Sequence, residues 1–208
     1  PFVNSAVSWI LLSPLKTRHL GLKLSASKSW KSSHLQIAAH IHRYQNIIFW
    51  DSSVLTAQQG NANLNALTIN YQIFSKHHGL EVKLAAQQSS NQAVLPRPQI
   101  LANGRYYVQF QLFNKQLTTQ LGVNSEWYSN YNAPVWDPLI RQWRNRNTTF
   151  EYSPPLGLFL NAKVKSFHFG FNFYHIQQGL MGEDYFRSPN YPMMPRVFRL
   201  NIQWDLAN

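Results

Sequence analysis

Histidine side chains are the first candidates for chemistry in this sequence, because imidazole nitrogens bind transition metals. His40 and His42 are two positions apart, and on a β-strand residues at that spacing project from the same face. A metal site needs more ligands, and the spacing of the sequence indicates no third one. We therefore interpret the pair as polar side chains of a strand face, and we predict neither a metal nor a cofactor.

Acidic residues, which could act in general acid–base catalysis, are scarce. The chain has eight Asp and Glu residues in 208. We find no Ser/His/Asp arrangement with a recognisable nucleophile turn and no glycine-rich loop of the kind that holds phosphate. The sequence therefore predicts a protein that is not an enzyme and has no catalytic residues.

The segment RQWRNR concentrates positive charge in the chain. It places Arg141, Arg144 and Arg146 around Trp143. Arginines interleaved with aromatic rings suit stacking on single-stranded nucleic acid. The same residues in a long loop could instead form a basic constriction, contact lipopolysaccharide phosphates, or be solvated. We predict no nucleic-acid partner and retain the other three interpretations.

The composition limits the protein class. The net charge is +11, yet only 13% of residues are charged while 14% are aromatic. A basic protein favours anionic partners such as lipid phosphate or anionic solutes. Cysteine is absent, which excludes disulfides, and no apolar run is long enough for a transmembrane helix. The sequence starts PFVNSAVSW without Met or a signal peptide, so we expect a processed product or a fragment.

Alternating apolar and polar residues, typical of β-strands, recur along almost the whole chain. The clearest stretches are GLEVKLAAQ, RYYVQFQLF, LGLFLNAKVK, SFHFGFNFY and RVFRLNIQWDL, and weaker ones lie around 3–12, 17–28, 34–49, 63–75 and 116–128. Most of the ten candidate strands have about nine to thirteen residues. Soluble strands average about five or six, whereas a tilted membrane strand needs about nine to eleven.

The predicted connections alternate in length. Tight links follow residues 28, 75, 113 and 165, whereas 50–62, 89–104, 129–154 and 179–196 are long. Transmembrane barrels have short periplasmic turns and long extracellular loops. The sequence thus predicts an all-β fold, an antiparallel transmembrane β-barrel with about ten strands in this chain. Residues 1–208 would form a single barrel domain or the C-terminal portion of a larger one.

Such a barrel assigns each strand face an environment. The apolar rows should face lipid, and the alternate rows should line the lumen. The lipid-facing candidates are Phe167, Phe169, Phe171, Phe173, Leu200, Ile202 and Trp204. The lumen-lining candidates are Glu81, Lys83, Gln109, Gln111, Asn161, Lys163, Lys165, His168, Asn172, Tyr174, Arg199 and Gln203.

Aromatic residues near the predicted strand ends suggest interfacial girdles. These are Trp30, Phe49, Trp50, Trp127, Tyr128 and Trp204. The alternative is that they cover packed cores.

Several ordered segments resemble the C-terminal part of the putative porin family of the Bacteroidota outer membrane. They include GNANLNALTINYQI, LPRP, LGVNSEWYSNYNAPVWDPLIRQW, SPPLGLFLNAKVKSFHFGFNFYHIQQGL and SPNYPMMPRVFRLNIQWDL. The resemblance covers roughly residues 44 to 206. It implies a barrel in the outer membrane of a Gram-negative bacterium and transfers no catalytic residues.

These observations predict a porin-like barrel that allows passive diffusion of small polar solutes, preferably anions, because cations outnumber acids in the lumen set. Its expected partners are membrane lipid, lipopolysaccharide and those solutes. Two other classes remain open. One is a non-conducting barrel that docks partner outer-membrane proteins, or is completed by a missing N-terminal part. The other is a soluble β-rich binding protein whose phenylalanines form a core.

Overall fold

The computed structural model describes residues 16–51, 57–139, 141–179, 186–189 and 191–206. In chain order the strands are β1 Arg18–Ser29, β2 Ser33–Asp51, β3 Ala57–Phe74, β4 His78–Ser89, β5 Ile100–Leu112, β6 Leu117–Tyr128, β7 Val135–Asp137, β8 Gln142–Asn145, β9 Leu156–Val164, β10 Phe167–Tyr174, β11 Phe186–Ser188, β12 Tyr191–Pro192 and β13 Val197–Trp204. The described residues contain no helix, so the fold is all-β as predicted. The first predicted strand, around 3–12, lies outside these residues.

Nine long strands form one antiparallel meander in the order β1, β2, β3, β4, β5, β6, β9, β10, β13. Each long strand pairs with the next long strand of the chain. Within the described ranges β1 pairs only with β2 and β13 only with β10, and the sheet is open between them. No helix among the described residues is long and apolar enough to cross a membrane.

The predicted alternation of short and long connections is confirmed except at residues 50–62. Three residues connect β1 to β2, and the Trp30 N–H donates to the Ser33 carbonyl oxygen at 2.8 Å. In the turn between β3 and β4, the Ser75 N–H donates to the His78 carbonyl oxygen at 2.8 Å. Lys165 and Ser166 alone connect β9 to β10, with Lys165 at a φ of 50°. The opposite ends carry the long segments 90–99, 129–155 and 175–196. We call the end of the sheet with the short turns the turn end, and the end with the long segments the loop end.

One predicted connection is wrong in extent. Residues 50–62 were expected to form a loop, yet β2 continues to Asp51 and β3 starts at Ala57. These strands have 19 and 18 residues, and at the loop end both extend past the predicted stretches 34–49 and 63–75. A bulge between Tyr44 and Ile47, with Asn46 at a φ of 55°, shifts the register and interrupts the alternation that the sequence analysis followed.

The register places side chains of like character on the same face from β1 to β13. Leu22 lies opposite Ile41, Ile69 opposite Leu84, and Leu160 opposite Phe171. Because side chains alternate along every strand, these pairs define an apolar face, and the intervening residues define a polar face.

A small buried cluster lies at the loop end. Ala133, Phe150, Tyr152 and Met193 are each at most 9% exposed, and Tyr128 and Tyr131 pack against them. Its members come mainly from the segments 129–155 and 175–196. The long loops are therefore packed structures, whereas the described strands have no comparable core on their apolar face.

Candidate functional site

The apolar face is exposed along the whole sheet. Exposed fractions are 70% for Leu20 in β1, 46% for Leu67 in β3, 45% for Leu121 in β6 and 51% for Leu200 in β13. Soluble monomers rarely expose contiguous apolar patches beyond a few hundred square ångströms. An exposed apolar face of this kind needs an apolar environment or a partner to cover it.

All seven residues predicted to face lipid lie on this apolar face. Phe167, Phe169, Phe171 and Phe173 alternate along β10, opposite Trp204, Ile202, Leu200 and Phe198 of β13. Phe167 and Trp204 stack with ring centroids 5.1 Å apart. The four phenylalanines are thus neighbours on one open surface, not the inside of a closed core.

Eleven of the twelve residues predicted to line a lumen lie on the polar face. They are Glu81 and Lys83 on β4, Gln109 and Gln111 on β5, Asn161 and Lys163 on β9, His168, Asn172 and Tyr174 on β10, and Arg199 and Gln203 on β13. Lys165 belongs to the turn between β9 and β10. Its position at the turn end places it at the edge of the face, away from the strand rows.

Hydrogen bonds between side chains join neighbouring strands across the polar face. The Gln120 amide donates to Gln109 Oε1 at 2.9 Å, and the Asn70 amide donates to Gln36 Oε1 at 3.2 Å. Uncharged amides satisfy one another in this way while remaining able to exchange with water. The face is therefore suited to contact with water.

Positive charge exceeds negative charge on this face. Arg105 Nη1 lies 3.8 Å from Glu81 Oε1, and His168 Nε2 lies 3.0 Å from Asp205 Oδ2 at the turn end. Among the described residues, Lys23, Lys83 and Lys163 have no carboxylate within ion-pair distance. The acids are partly compensated, and Lys163 also acts on Asp205 from beyond ion-pair distance, whereas Lys23 and Lys83 have no carboxylate partner among the described residues.

Arg105 is a charged polar-face residue that was not among the lumen-lining candidates predicted from the sequence. Its guanidinium lies 4.2 Å from the ring centroid of Phe159 and 5.5 Å from that of Tyr107, besides its contact with Glu81. The stretch RYYVQFQLF begins with Arg105, yet only Gln109 and Gln111 in it were predicted to line the lumen. Following the same period two positions upstream of Tyr107 would have placed Arg105 on the polar face.

Glycines make room for the rings beneath Arg105. A Cβ on Gly122 would collide with the Tyr106 carbonyl oxygen and come within 2.5 Å of Phe159 Cζ, and one on Gly79 would collide with the Tyr107 ring. Tyr107 and Phe159 are accordingly buried, at 9% and 5% exposure. The Tyr107 and Phe159 rings meet edge to face, with their planes 65° apart, and the Arg105 guanidinium lies near both.

The histidine pair belongs to a larger aromatic row. His19 Nε2 lies 3.0 Å from His42 Nδ1, and His42 stacks with His40 at 6.1 Å between ring centroids. His19, which the sequence analysis did not single out, also stacks on Tyr44. No group of three potential ligands that could hold a metal occurs in the described part of the chain.

The loop 129–155 crosses the loop end of the sheet. It leaves β6, and its strand β8 then pairs in parallel with the end of β2, at Trp50 with Arg144 and Asp51 with Asn145. In the sheet order β3, β4 and β5 lie between β6 and β2, a span of about 19 Å at the usual strand spacing of about 4.8 Å. The loop thus bridges strands that are far apart in the sheet.

The bridging loop contacts side chains of the polar face. Tyr152 donates its hydroxyl to Glu126 Oε1 at 2.8 Å and stacks on Tyr128 at 3.7 Å between ring centroids. The Asn145 amide donates to the Ala93 carbonyl oxygen at 2.6 Å, and Val94 packs beside Gly60. The loops therefore lie over the polar face at its loop end.

The three arginines of RQWRNR have different surroundings in this loop. Arg144 Nη1 donates to Asp137 Oδ2 at 3.0 Å within the hairpin of β7 and β8, so its charge is compensated. Arg141, at a φ of 52°, and Arg146 are exposed. A basic constriction or a lipopolysaccharide contact thus rests on Arg141 and Arg146.

The aromatic residues expected at the strand ends differ in exposure. Trp30, Trp127 and Trp204 are 47%, 42% and 59% exposed near strand ends. Trp50 is buried at 7% exposure beside β8, and Tyr128 lies under Tyr152. The long loops cover these two, which the strand pattern alone does not reveal.

A pocket of about 200 Å³ opens at the loop end above β6, β10 and β13. Glu126, Tyr152, Tyr174, Met193, Val197 and Arg199 are among its lining residues. Four of them, Glu126, Tyr174, Val197 and Arg199, belong to the polar-face rows, and the loops supply Tyr152 and Met193. Sequence patterning placed Tyr174 and Arg199 on this face but gave no sign of the loop walls.

Comparisons with known proteins gave one positive result. A family model described as Putative porin matches residues 8–208. Neither the curated proteins nor the solved structures searched contain a match.

Proposed function

Because the chain belongs to the Putative porin family, we propose that it forms an outer-membrane β-barrel through which small polar solutes, preferentially anions, diffuse passively. In this proposal residues 1–208 are a single barrel domain or the C-terminal portion of one, and lipid covers the apolar face. The observation that carries it is the separation of one continuous apolar face from one continuous polar face over nine antiparallel strands. A bilayer cannot satisfy open backbone groups, so the two edges must close.

The lengths of the strands support a membrane-spanning arrangement. Strands β4, β5 and β6 have 12, 13 and 12 residues, enough to cross a hydrocarbon core at a tilt. The longer β2 and β3 project beyond it, since on β3 the polar residues Asn65 and Asn63 follow Leu67 on the apolar face toward the loop end. We assign the loop end to the cell exterior and the turn end to the periplasm, as in other barrels of this kind.

Anion preference follows from the charges on the polar face. Lys23, Lys83 and Lys163 raise the local anion concentration in a water-filled channel, whereas Glu81 and Asp205 each lie beside a cationic or ionisable group. Lipopolysaccharide phosphates are the corresponding partners for Arg141 and Arg146 at the exterior rim. No step of this function requires a cofactor or catalytic group.

The test is conductance of the purified protein in planar lipid bilayers with a salt gradient. We expect discrete channels whose reversal potential shows anion preference, and Lys83→Glu with Lys163→Glu should move that potential toward cation preference. Lys115→Glu, in the exposed turn before β6, is the matched control and should leave it unchanged.

Cation preference of the parent protein would contradict the proposed selectivity. Folded, membrane-inserted protein that never conducts would contradict the porin function. It would favour a barrel that docks other outer-membrane proteins through its long loops, because the loop 129–155 already covers part of the polar face.

A further inference from the structure

The pocket at the loop end carries two opposite charges that are not paired with each other. Glu126 on β6 and Arg199 on β13 both line it, and neither belongs to an ion pair within the described ranges. Glu126 accepts the Tyr152 hydroxyl at 2.8 Å, and the Arg199 guanidinium lies 5.3 Å from the Tyr174 ring centroid. Each charge is thus held in position by an aromatic residue.

Besides His175, whose Nδ1 lies 2.7 Å from the Met194 carbonyl oxygen, the remaining walls are mainly apolar or aromatic. Met193 is buried at 7% exposure, and Val197, Pro155 and Pro195 line the same space. Their apolar surface favours a ligand with an aliphatic part. The pocket therefore combines one carboxylate, one guanidinium, the His175 imidazole and an apolar wall within about 200 Å³.

These charges discriminate among solutes. A simple anion that binds Arg199 is repelled by Glu126, and a simple cation that binds Glu126 is repelled by Arg199. A neutral solute leaves both charges without a partner of opposite sign. A small zwitterion satisfies both, and guanidinium–carboxylate pairing is among the stronger polar contacts in proteins.

We infer that this pocket is a selective binding site for small aliphatic zwitterions of the amino-acid type at the mouth of the channel. The ligand ammonium binds Glu126, its carboxylate binds Arg199, and its side chain contacts Met193 and Val197. This inference rests on the proposed function for its role in uptake, since a site at the exterior mouth raises the concentration of its ligand at the entrance.

The experiment is isothermal titration calorimetry of the detergent-purified protein with three probes of similar shape. L-leucine carries both charges, 4-methylpentanoate lacks the ammonium, and 3-methylbutylamine lacks the carboxylate. We expect leucine to bind at least about tenfold more tightly than either analogue, as expected for loss of one charged contact. Equal binding of the three probes, or no binding of leucine, would overturn the inference.

Two substitutions test the assigned roles. In Glu126→Gln, leucine should lose its advantage over 4-methylpentanoate, and in Arg199→Gln it should lose its advantage over 3-methylbutylamine. Lys115→Gln is the control and should bind leucine like the parent. Heat-modifiable gel mobility verifies that each variant is folded. Unchanged selectivity in both folded pocket variants would contradict the inference.

Conductance distinguishes this inference from the function on which it rests. Channels without leucine selectivity would refute the pocket assignment and leave the porin function standing. Leucine selectivity in a protein that does not conduct would retain the pocket as a binding site and refute its role in uptake.

Discussion

At the residue scale, Gly122 explains how the polar face accommodates large rings, whereas Gly104, on the apolar face opposite Val82, has no ring beside it. Gly122 in β6 lies beneath Phe159 and Tyr107, whereas a Cβ on Gly104 in β5 would meet nothing within 4 Å. The sequence shows both glycines inside alternating runs and cannot separate them. Only the register reveals that one position is filled by a neighbouring ring and the other is open.

Gly122→Ala should therefore destabilise the protein by about 1–3 kcal/mol, the usual cost of forcing extra atoms into a packed site. The new methyl group would collide with the Tyr106 carbonyl oxygen, and that backbone atom cannot move independently of the sheet. The measurement is denaturant unfolding of vesicle-inserted protein. Gly104→Ala is the matched control, and an equal loss of stability in both variants would contradict this packing.

Asp205, directly after β13, gives a pH-dependent contribution at the same scale. A hydrogen bond from the Gln203 side chain, and then the hydrogen bond and charge of His168, hold the pKa of the carboxyl below its ordinary value. A depressed pKa in the folded state stabilises folding above the unfolded pKa of about 3.9. That stabilisation is lost as the pH falls through the folded value.

Asp205→Asn should consequently be less stable than the parent at neutral pH and equally stable in strong acid. The folded fraction, followed by heat-modifiable gel mobility between about pH 2 and pH 7, measures the difference. A difference between the two proteins that stays constant over this range would show that the carboxylate contacts do not contribute.

At the element scale, the strands were predictable and the loops were not. Alternation identified β4, β5, β9, β10 and β13 because each stays in register with a neighbour of the same period. The bulge at Asn46 and the pairing of β8 with β2 depend on contacts between distant segments. No local pattern encodes such contacts, so the extended β2–β3 hairpin and the bridging loop were missed.

The bridge made by β8 can be tested by cross-linking, since the chain has no cysteine to interfere. Asp51→Cys with Asn145→Cys places two thiols at directly paired positions, within the distance over which disulfides form. Mild oxidation should produce a cross-linked species with altered gel mobility. Asp51→Cys with Asn114→Cys, at the turn end, is the control, and equal yields in both pairs would contradict the bridge.

At the scale of the whole molecule, the family match and the two-faced sheet agree on one architecture. The sequence predicted the correct sheet face for eleven of the twelve lumen-lining candidates and for all seven lipid-facing candidates, because side-chain alternation is a local property. It did not reveal the mouth pocket, whose walls come from separate loops. The sequence prediction also did not give the full charge of the polar face, because Lys23 and Arg105 were not among the residues assigned to that face.

The central claim is that the polar face meets water while the apolar face meets lipid. Single cysteines along β10, at each position from Phe167 to Tyr174, test it in the protein inserted into lipid vesicles. We expect a water-soluble, negatively charged thiosulfonate reagent to modify cysteines at positions 168, 170, 172 and 174 and not those at 167, 169, 171 and 173. Uniform reactivity, or modification of the phenylalanine positions alone, would contradict the account.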